Sequence, residues 1–229
     1  KKKKNKIGKI IKVQIEMKQD SFLRCVNGKF NQPQDWRQRD LEIPIIFLDL
    51  GIHVFSIFKF ITKLKLKKIL CIQKNHGKVG NVKDDIDLYG ITKDGASIHF
   101  NFGKCLLGHK NDLNIKIYGN KGSIFWNHKQ SNEYQYNDIN GNSFNVDYAN
   151  AIFEGNHRNS DYHKFKVGHP NGFLEAFANY YKQVYLDYFG KSNKKFKNIF
   201  SLQIEEEFMK FCYDCSSSYK NQKWVKIKN

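Results

Sequence analysis

Apolar and polar positions change period along this chain, and each period predicts an element. In residues 7–17 (IGKIIKVQIEM), Ile11, Val13, Ile15 and Met17 alternate with polar neighbours, the period-2 pattern of a half-buried strand. Residues 18–40 are polar, broken by Gly28 and Pro33, and read as a long ordered loop of the kind that often carries function. From Ile43 the run IPIIFLDLGIHVFSIFKFIT predicts a long apolar helix, with Pro44 in the first turn where its missing N–H is tolerated. Strand-like runs follow at 67–72, 86–92, 97–105, 113–118 and 123–127. Lys93-Asp94-Gly95 and Gly119-Asn120-Lys121-Gly122 are hairpin-type turns, and strands joined by short turns pair antiparallel. Residues 128–168 are polar and Asn-rich, with weaker strand signals at 133–136 and 143–146. Helices are expected at 172–188 and at 201–217, the second capped by Ser201 with Glu205, Glu206 and Glu207 in its first turns. A short strand at 224–227 ends the pattern. The fold class is α+β: a large, mostly antiparallel open β-sheet with helices on one face, in a single domain spanning 1–229.

Composition narrows the class. At 229 residues, with 40% apolar and 15% aromatic positions, the chain can bury a real core and is not a disordered polymer. No apolar run reaches the ~18 residues of a membrane span; the longest, 43–61, is interrupted by Asp49, His53, Ser56 and Lys59. Lys1 to Lys4 have no apolar stretch behind them and do not read as a secretory signal. The five cysteines, at 25, 71, 105, 212 and 215, are odd in number and scattered, which argues for a reducing, cytoplasmic setting. The formal charge is +17, but only Arg24, Arg37, Arg39 and Arg158 are arginine, and the lysines are spread along the whole chain. That pattern reads as a solvated basic surface and not as a nucleic-acid site, which concentrates charge and favours arginine.

Asp49 and His53 are four residues apart, so on a helix both emerge from one face. A carboxylate one turn from an imidazole can fix its tautomer and raise its basicity, as a general acid/base requires; a plain helix-surface pair has the same spacing. Trp36-Arg37, just before the helix, can stack on and hydrogen-bond a polar ligand, or anchor the loop. His169 opens the segment His169-Pro170-Asn171-Gly172-Phe173 at a helix start, whose free N–H groups favour anionic or hydroxyl-rich ligands. Other motifs fail. Gly190-Lys191-Ser192 looks like the end of a phosphate loop, but the position that needs the first glycine is Tyr185. Cys212-x-x-Cys215 lies in a predicted helix without a second Cys or His pair at zinc spacing. No GxGxxG follows a strand, so no dinucleotide site is legible.

Taken in order, the segments resemble the C-terminal half of the glucose–fructose oxidoreductase/inositol dehydrogenase (Gfo/Idh/MocA) family. The resemblance rests on Ile7-Gly8-Lys9-Ile10, Trp36-Arg37, Leu48-Asp49-Leu50-Gly51-Ile52-His53, and the strand–turn–strand from Ile117 to Trp126. The segment from Phe165 to Asn179 is similar to sugar-type members. The resemblance implies a substrate-binding and oligomerising domain of an NAD(P)-dependent oxidoreductase acting on a secondary hydroxyl of a sugar or sugar derivative. NAD or NADP would be held mainly by an N-terminal nucleotide domain that this sequence does not show. His53 would accept the substrate proton and Asp49 would orient it, while Trp36, Arg37 and His169 would line the substrate side. The fragment alone is expected to be inactive, and a homo-oligomer is expected through the uncovered sheet face, between Ser97 and Trp126. Two departures from the family pattern stand out: Ile43-Pro44-Ile45 replaces a glycine triplet, and Ser56 stands where many members carry a second Asp. The alternative reading is a non-catalytic binding module whose basic surface takes a polyanion or a protein partner.

Overall fold

The computed structural model describes residues 6–147, 169, 172–191 and 202–227. Nine strands form one sheet: β1 (Ile10–Lys18), β4 (Leu66–Lys74), β5 (Asp85–Thr92), β6 (Ser97–Gly103), β7 (Asp112–Gly119), β8 (Gly122–Asn127), β9 (Glu133–Asp138), β10 (Ser143–Asp147) and β11 (Val225–Lys226). A separate small hairpin, β2 (Cys25–Val26) and β3 (Lys29–Phe30), sits in the 18–40 loop and turns through Asn27 and Gly28, both at positive φ. The helices are α1 (Ile52–Thr62), α2 (Phe173–Tyr188) and α3 (Leu202–Asn221). Ser201, the expected cap of α3, lies outside the described residues. No helix among the described residues is long and apolar enough to cross a membrane.

The strand order is β10-β9-β8-β7-β1-β6-β5-β4-β11. Every pairing is antiparallel except one: β1 lies between β6 and β7, antiparallel to β7 and parallel to β6. The sheet is therefore mixed, because the 104–111 connection separates β6 from β7 by the width of one strand and the N-terminal strand fills the gap.

Alternation along the strands decides which face is buried. Val13 and Ile15 of β1 share a layer with Ile98, Phe100 and Phe102 of β6 and with Ile115 and Ile117 of β7. Onto that layer α1 brings Val54, Phe55 and Phe58, and α3 brings Phe208, Phe211, Cys212 and Cys215. Phe58 and Phe100 meet edge to face at 5.4 Å. Burying such a ring contributes roughly 1.5–3 kcal/mol, and the aromatic contact about 0.5–1.5 kcal/mol more. Cys212 and Cys215, on one side of α3, pack in this apolar layer with Cys71 of β4. Burial pushes both thiols well above their ordinary range, so they are inert packing groups.

The other face is open and mostly polar, with Lys12, Gln14, Glu16, Asp87 and Asn101 along its centre. Its apolar groups are Leu70 and Ile72 of β4 beside Tyr89 and Ile91 of β5, and Tyr118 of β7 beside Phe125 of β8. The second pair lies within the Ser97–Trp126 span expected to carry an oligomer contact. Helix α2 does not join the core: only Gln183 is buried, while Leu174, Tyr181 and Tyr188 are exposed.

Candidate functional site

The apolar run from Ile43 does not form one regular helix. Its start, Phe47–Gly51, is a π-helical turn that passes into α1, and such turns inside helices recur at functional sites. Gly51 allows this one to lie against the sheet. A Cβ there would stand 3.2 Å from the Phe47 ring and 3.3 Å from the ring of Phe102 on β6. Asp49 sits in this turn, half-buried, at the end of the sheet where β1 and β6 finish.

Three chain segments converge on the Asp49 carboxylate. Arg37, from the 3₁₀ turn Asp35–Arg37, donates Nε to Oδ2 at 2.8 Å and Nη2 to Oδ1 at 3.0 Å. Lys104, the first residue after β6, places Nζ 2.6 Å from Oδ2. Arg37 is itself fixed: Nη1 donates to the Gln34 side chain, and the guanidinium stacks 4.1 Å from the centre of the Trp36 ring. Trp36 remains half exposed. Lys104 is 5% exposed and also donates to Gln19 Oε1 at 3.1 Å, over the Phe22 ring.

These contacts set the charges. Burial by itself would raise the Asp49 pKa, but the hydrogen bonds from Arg37 and Lys104 outweigh it and hold the carboxyl below its ordinary value. Burial lowers the pKa of Lys104, against the opposing pull of Asp49. The result is an ionised carboxylate clamped by two cations, one of them almost wholly withdrawn from solvent.

A second charged group lies at the same end of the sheet. His109 Nδ1 is 2.7 Å from Asp112 Oδ2, and Lys129 Nζ reaches Asp112 at 2.9 Å. The Lys129 hydrogen bond, helped by His109, draws the Asp112 pKa down. Gln19 Nε2 donates to Asn111 Oδ1 at 2.5 Å, so a polar chain runs from Asp49 through Lys104 and Gln19 to the loop that carries this second cluster.

The sequence-based site residues thus separate into two groups. Trp36, Arg37 and Asp49 form one cluster, and His53 projects into solvent from the first turn of α1, directly after it. The Asp49 oxygens go to Arg37 and Lys104, and no hydrogen bond links them to His53. His169 is exposed, and its carbonyl accepts from Asn132 Nδ2 at 2.8 Å beside the start of β9. Three strands (β8, β7 and β1) stand between β9 and β6. Pro170 and Asn171 lie outside the described residues. Lys104 was not singled out by the sequence: it is one lysine among many, one residue past a regular strand, and no spacing ties it to Asp49.

Among the described residues, the one parallel strand pair, β1 with β6, carries no glycine-rich turn leading from a strand into a helix of the kind that takes a pyrophosphate.

The model of the GFO/IDH/MocA C-terminal domain matches residues 3–125. No curated protein matches the chain by sequence. Among solved structures, an inositol dehydrogenase homolog from Azotobacter vinelandii, complexed with NADH and myo-inositol, superposes with a TM-score of 0.79 at 15% identity, covering 96% of this chain and 57% of that one. An oxidoreductase from Sinorhizobium meliloti gives 0.76 at 20% identity, with 96% and 57% covered. A levoglucosan dehydrogenase in complex with NADH and L-sorbose gives 0.74 at 16% identity, with 98% and 60% covered. At these identities the likeness is one of fold. The chain spans about three fifths of the length of these structures.

Proposed function

The chain belongs to the GFO/IDH/MocA family, and on that premise we propose that it is the substrate-binding and catalytic-residue domain of an NAD(P)-dependent oxidoreductase acting on a secondary hydroxyl of a sugar or sugar derivative. The observation that carries the proposal is the Asp49 carboxylate held by Arg37 and Lys104, with Trp36 stacked on Arg37 and His53 free to meet a ligand one turn away. Relatives of the same fold were solved with NADH and with myo-inositol or L-sorbose. NAD or NADP would be held mainly by an N-terminal nucleotide domain and would supply the hydride acceptor.

The chain's own contribution is proton transfer and position. His53 takes the proton of the substrate hydroxyl as general base. Arg37 spends Nε and one N–H of Nη2 on Asp49 and one N–H of Nη1 on Gln34. One N–H on each terminal nitrogen remains for substrate oxygens. Asp49 keeps that fork oriented, and the Trp36 ring offers an apolar face to the C–H side of a sugar. The open sheet face, through the strands between Ser97 and Trp126, would seat a second copy of the chain, giving a homo-oligomer.

Calorimetry and an activity assay test this reading together. The 229-residue chain is expected to bind NADH no better than millimolar, while the full-length protein oxidises myo-inositol or a related polyol with NAD or NADP. Micromolar NADH binding to the chain alone, or a full-length protein inert toward every polyol offered, would overturn it. Light scattering at tens of micromolar is expected to give a mass above the 27.0 kDa of one chain.

A further inference from the structure

A second feature lies on the helix-covered side of the sheet, away from the open face proposed to meet a second copy. It is also at the far end from the Asp49 cluster: Leu66 of β4 pairs with the last residue of β5, near where β6 begins, whereas Lys104 and Asp49 meet where β6 finishes. Here the last turns of α1, the start of β4 and the middle of α3 leave a cavity of about 260 Å³ between them. That is just below the usual ~300–1,000 Å³ of small-ligand clefts.

The lining divides by chemistry. Phe55, Phe58, Leu66, Phe211 and Ile227 supply walls that carry no side-chain donor or acceptor. Every polar side chain of the lining is charged: Lys59, Lys65, Glu207 and Lys210. Lys59 Nζ stands 2.6 Å from Glu207 Oε2, an ion pair that joins α1 to α3. Lys210 pairs along α3 with the exposed Glu206 at 2.7 Å, a surface contact that costs little to exchange. Lys65 has no ion pair and no side-chain hydrogen bond among the described residues, and its carbonyl is fixed by the Lys93 N–H at 2.8 Å. Even with Glu206 counted, three lysines face two glutamates.

We propose that this cavity binds a medium-chain fatty acid, with the acyl chain against Phe55, Phe58 and Phe211 and the carboxylate taken by Lys65 and Lys210. Apolar cavities stay dry and accept apolar guests. A saccharide or a nucleotide is disfavoured, because walls without donors or acceptors would strip its polar groups of water and return nothing. The excess of lysine selects an anionic head over a neutral or cationic one. At ~30 Å³ per water-sized group the cavity holds roughly eight or nine, an acyl chain of about six to eight carbons.

Calorimetric titration of the 229-residue chain with hexanoate, octanoate, dodecanoate and neutral octanol, together with methyl NMR, tests the proposal. Octanoate is expected to bind at least about tenfold tighter than hexanoate, since each buried methylene is worth roughly fourfold. The gain should level off by dodecanoate, whose chain exceeds the cavity. Octanoate should shift the methyl signals of Leu66 and Ile227 and leave those of Val13 and Ile117 in place. Lys65 is exposed, so Lys65→Ala is expected to fold as the parent does, which unshifted Val13 and Ile117 methyls check. That variant should weaken octanoate roughly two- to fivefold, the value of an exposed ion pair, and leave octanol unaffected. Absence of both heat and methyl shifts at millimolar octanoate would overturn the inference and reduce the cavity to a packing defect. So would an affinity that climbs without limit with chain length, as surfactant adsorption does, or octanoate binding that Lys65→Ala leaves unchanged. Shifts centred on the exposed aromatic residues of α2 would overturn it as well. None of these readouts involves turnover, so this inference and the proposed function stand or fall separately.

Discussion

Lys104 Nζ lies 2.6 Å from Asp49 Oδ2, and it is the more buried of the two partners. A cation so withdrawn is maintained only by its counter-charge, so removing one member exposes the cost of the other. Asp49→Asn leaves the Lys104 ammonium buried without its anion and is expected to destabilise the chain by about 3 kcal/mol. Lys104→Met in the same background should recover part of that loss, because the uncompensated buried charge is gone. Urea unfolding of the two single variants and the double variant measures the coupling. Strict additivity would mean that the two groups do not act as a pair.

The carboxyls give stability opposite dependences on pH. Asp49 has a lowered folded pKa, so its stabilising contribution is present above its ordinary value of 3.8 and is lost as pH falls through the lower folded value. Asp85 runs the other way. Burial, and then the like charge of Asp87, raise its pKa, and its buried Oδ1 has no hydrogen-bond partner. The folded state holds the Asp85 proton more tightly, so stability falls as pH rises from 3.8 through the raised folded value. Asp85→Asn is therefore expected to stabilise the chain at pH 7 by on the order of 1 kcal/mol. That gain should shrink toward zero in acid, as followed by thermal unfolding across pH.

Gly51→Ala tests whether the π-helical turn depends on close approach. The new methyl would meet Phe47 and Phe102, both fully buried, at 3.2–3.3 Å. Both rings would have to give by a few tenths of an ångström in the packed core, so a loss of about 1–3 kcal/mol is expected. The Arg37–Asp49 bonds should loosen with it, seen as faster exchange of the Arg37 Nε proton in NMR.

His53→Asn in the full-length protein is expected to keep the fold and substrate binding while lowering turnover by about 10²–10⁴-fold, the usual share of a general base. Asp49→Asn should act differently. It releases Arg37 and leaves Lys104 buried without its anion, so KM should rise and stability fall along with turnover. An Asp49 variant that lost turnover with unchanged KM and unchanged melting would contradict the orienting role.

Much of this fold is legible in sequence. The expected strands from 67 to 146 all form, because hydrophobic alternation is local and the turns at Gly95 and Asn120–Lys121 fix their pairing. The place of β1 between β6 and β7 is not legible: its alternation shows a strand but carries no information about partners about a hundred residues away. The helix from Ile43 has the right extent, but its π turn depends on Phe102 and so on tertiary packing. At the site, Trp36, Arg37, Asp49 and His53 are found by type and spacing. Lys104 is not, because the contact that gives it meaning comes from the end of β6 meeting a helix far away in sequence.

The insertion of β1 into the middle of the sheet has a consequence in time. Its two ladders need residues 97–103 and 112–119, so β1 is made well before either of its partners and waits for both. At ribosomal rates of ~5–20 residues per second, that wait is roughly 5–20 s. Through it Val13 and Ile15 stay uncovered on a strand with two unpaired edges, the kind of segment that seeks partners in other chains. Closing the sheet is then a long-range event, and refolding should be slow for a chain of this size, in the millisecond-to-second regime of non-local topologies. The residues that make β1 the centre of the finished sheet also make the newborn chain vulnerable to aggregation until β7 has emerged.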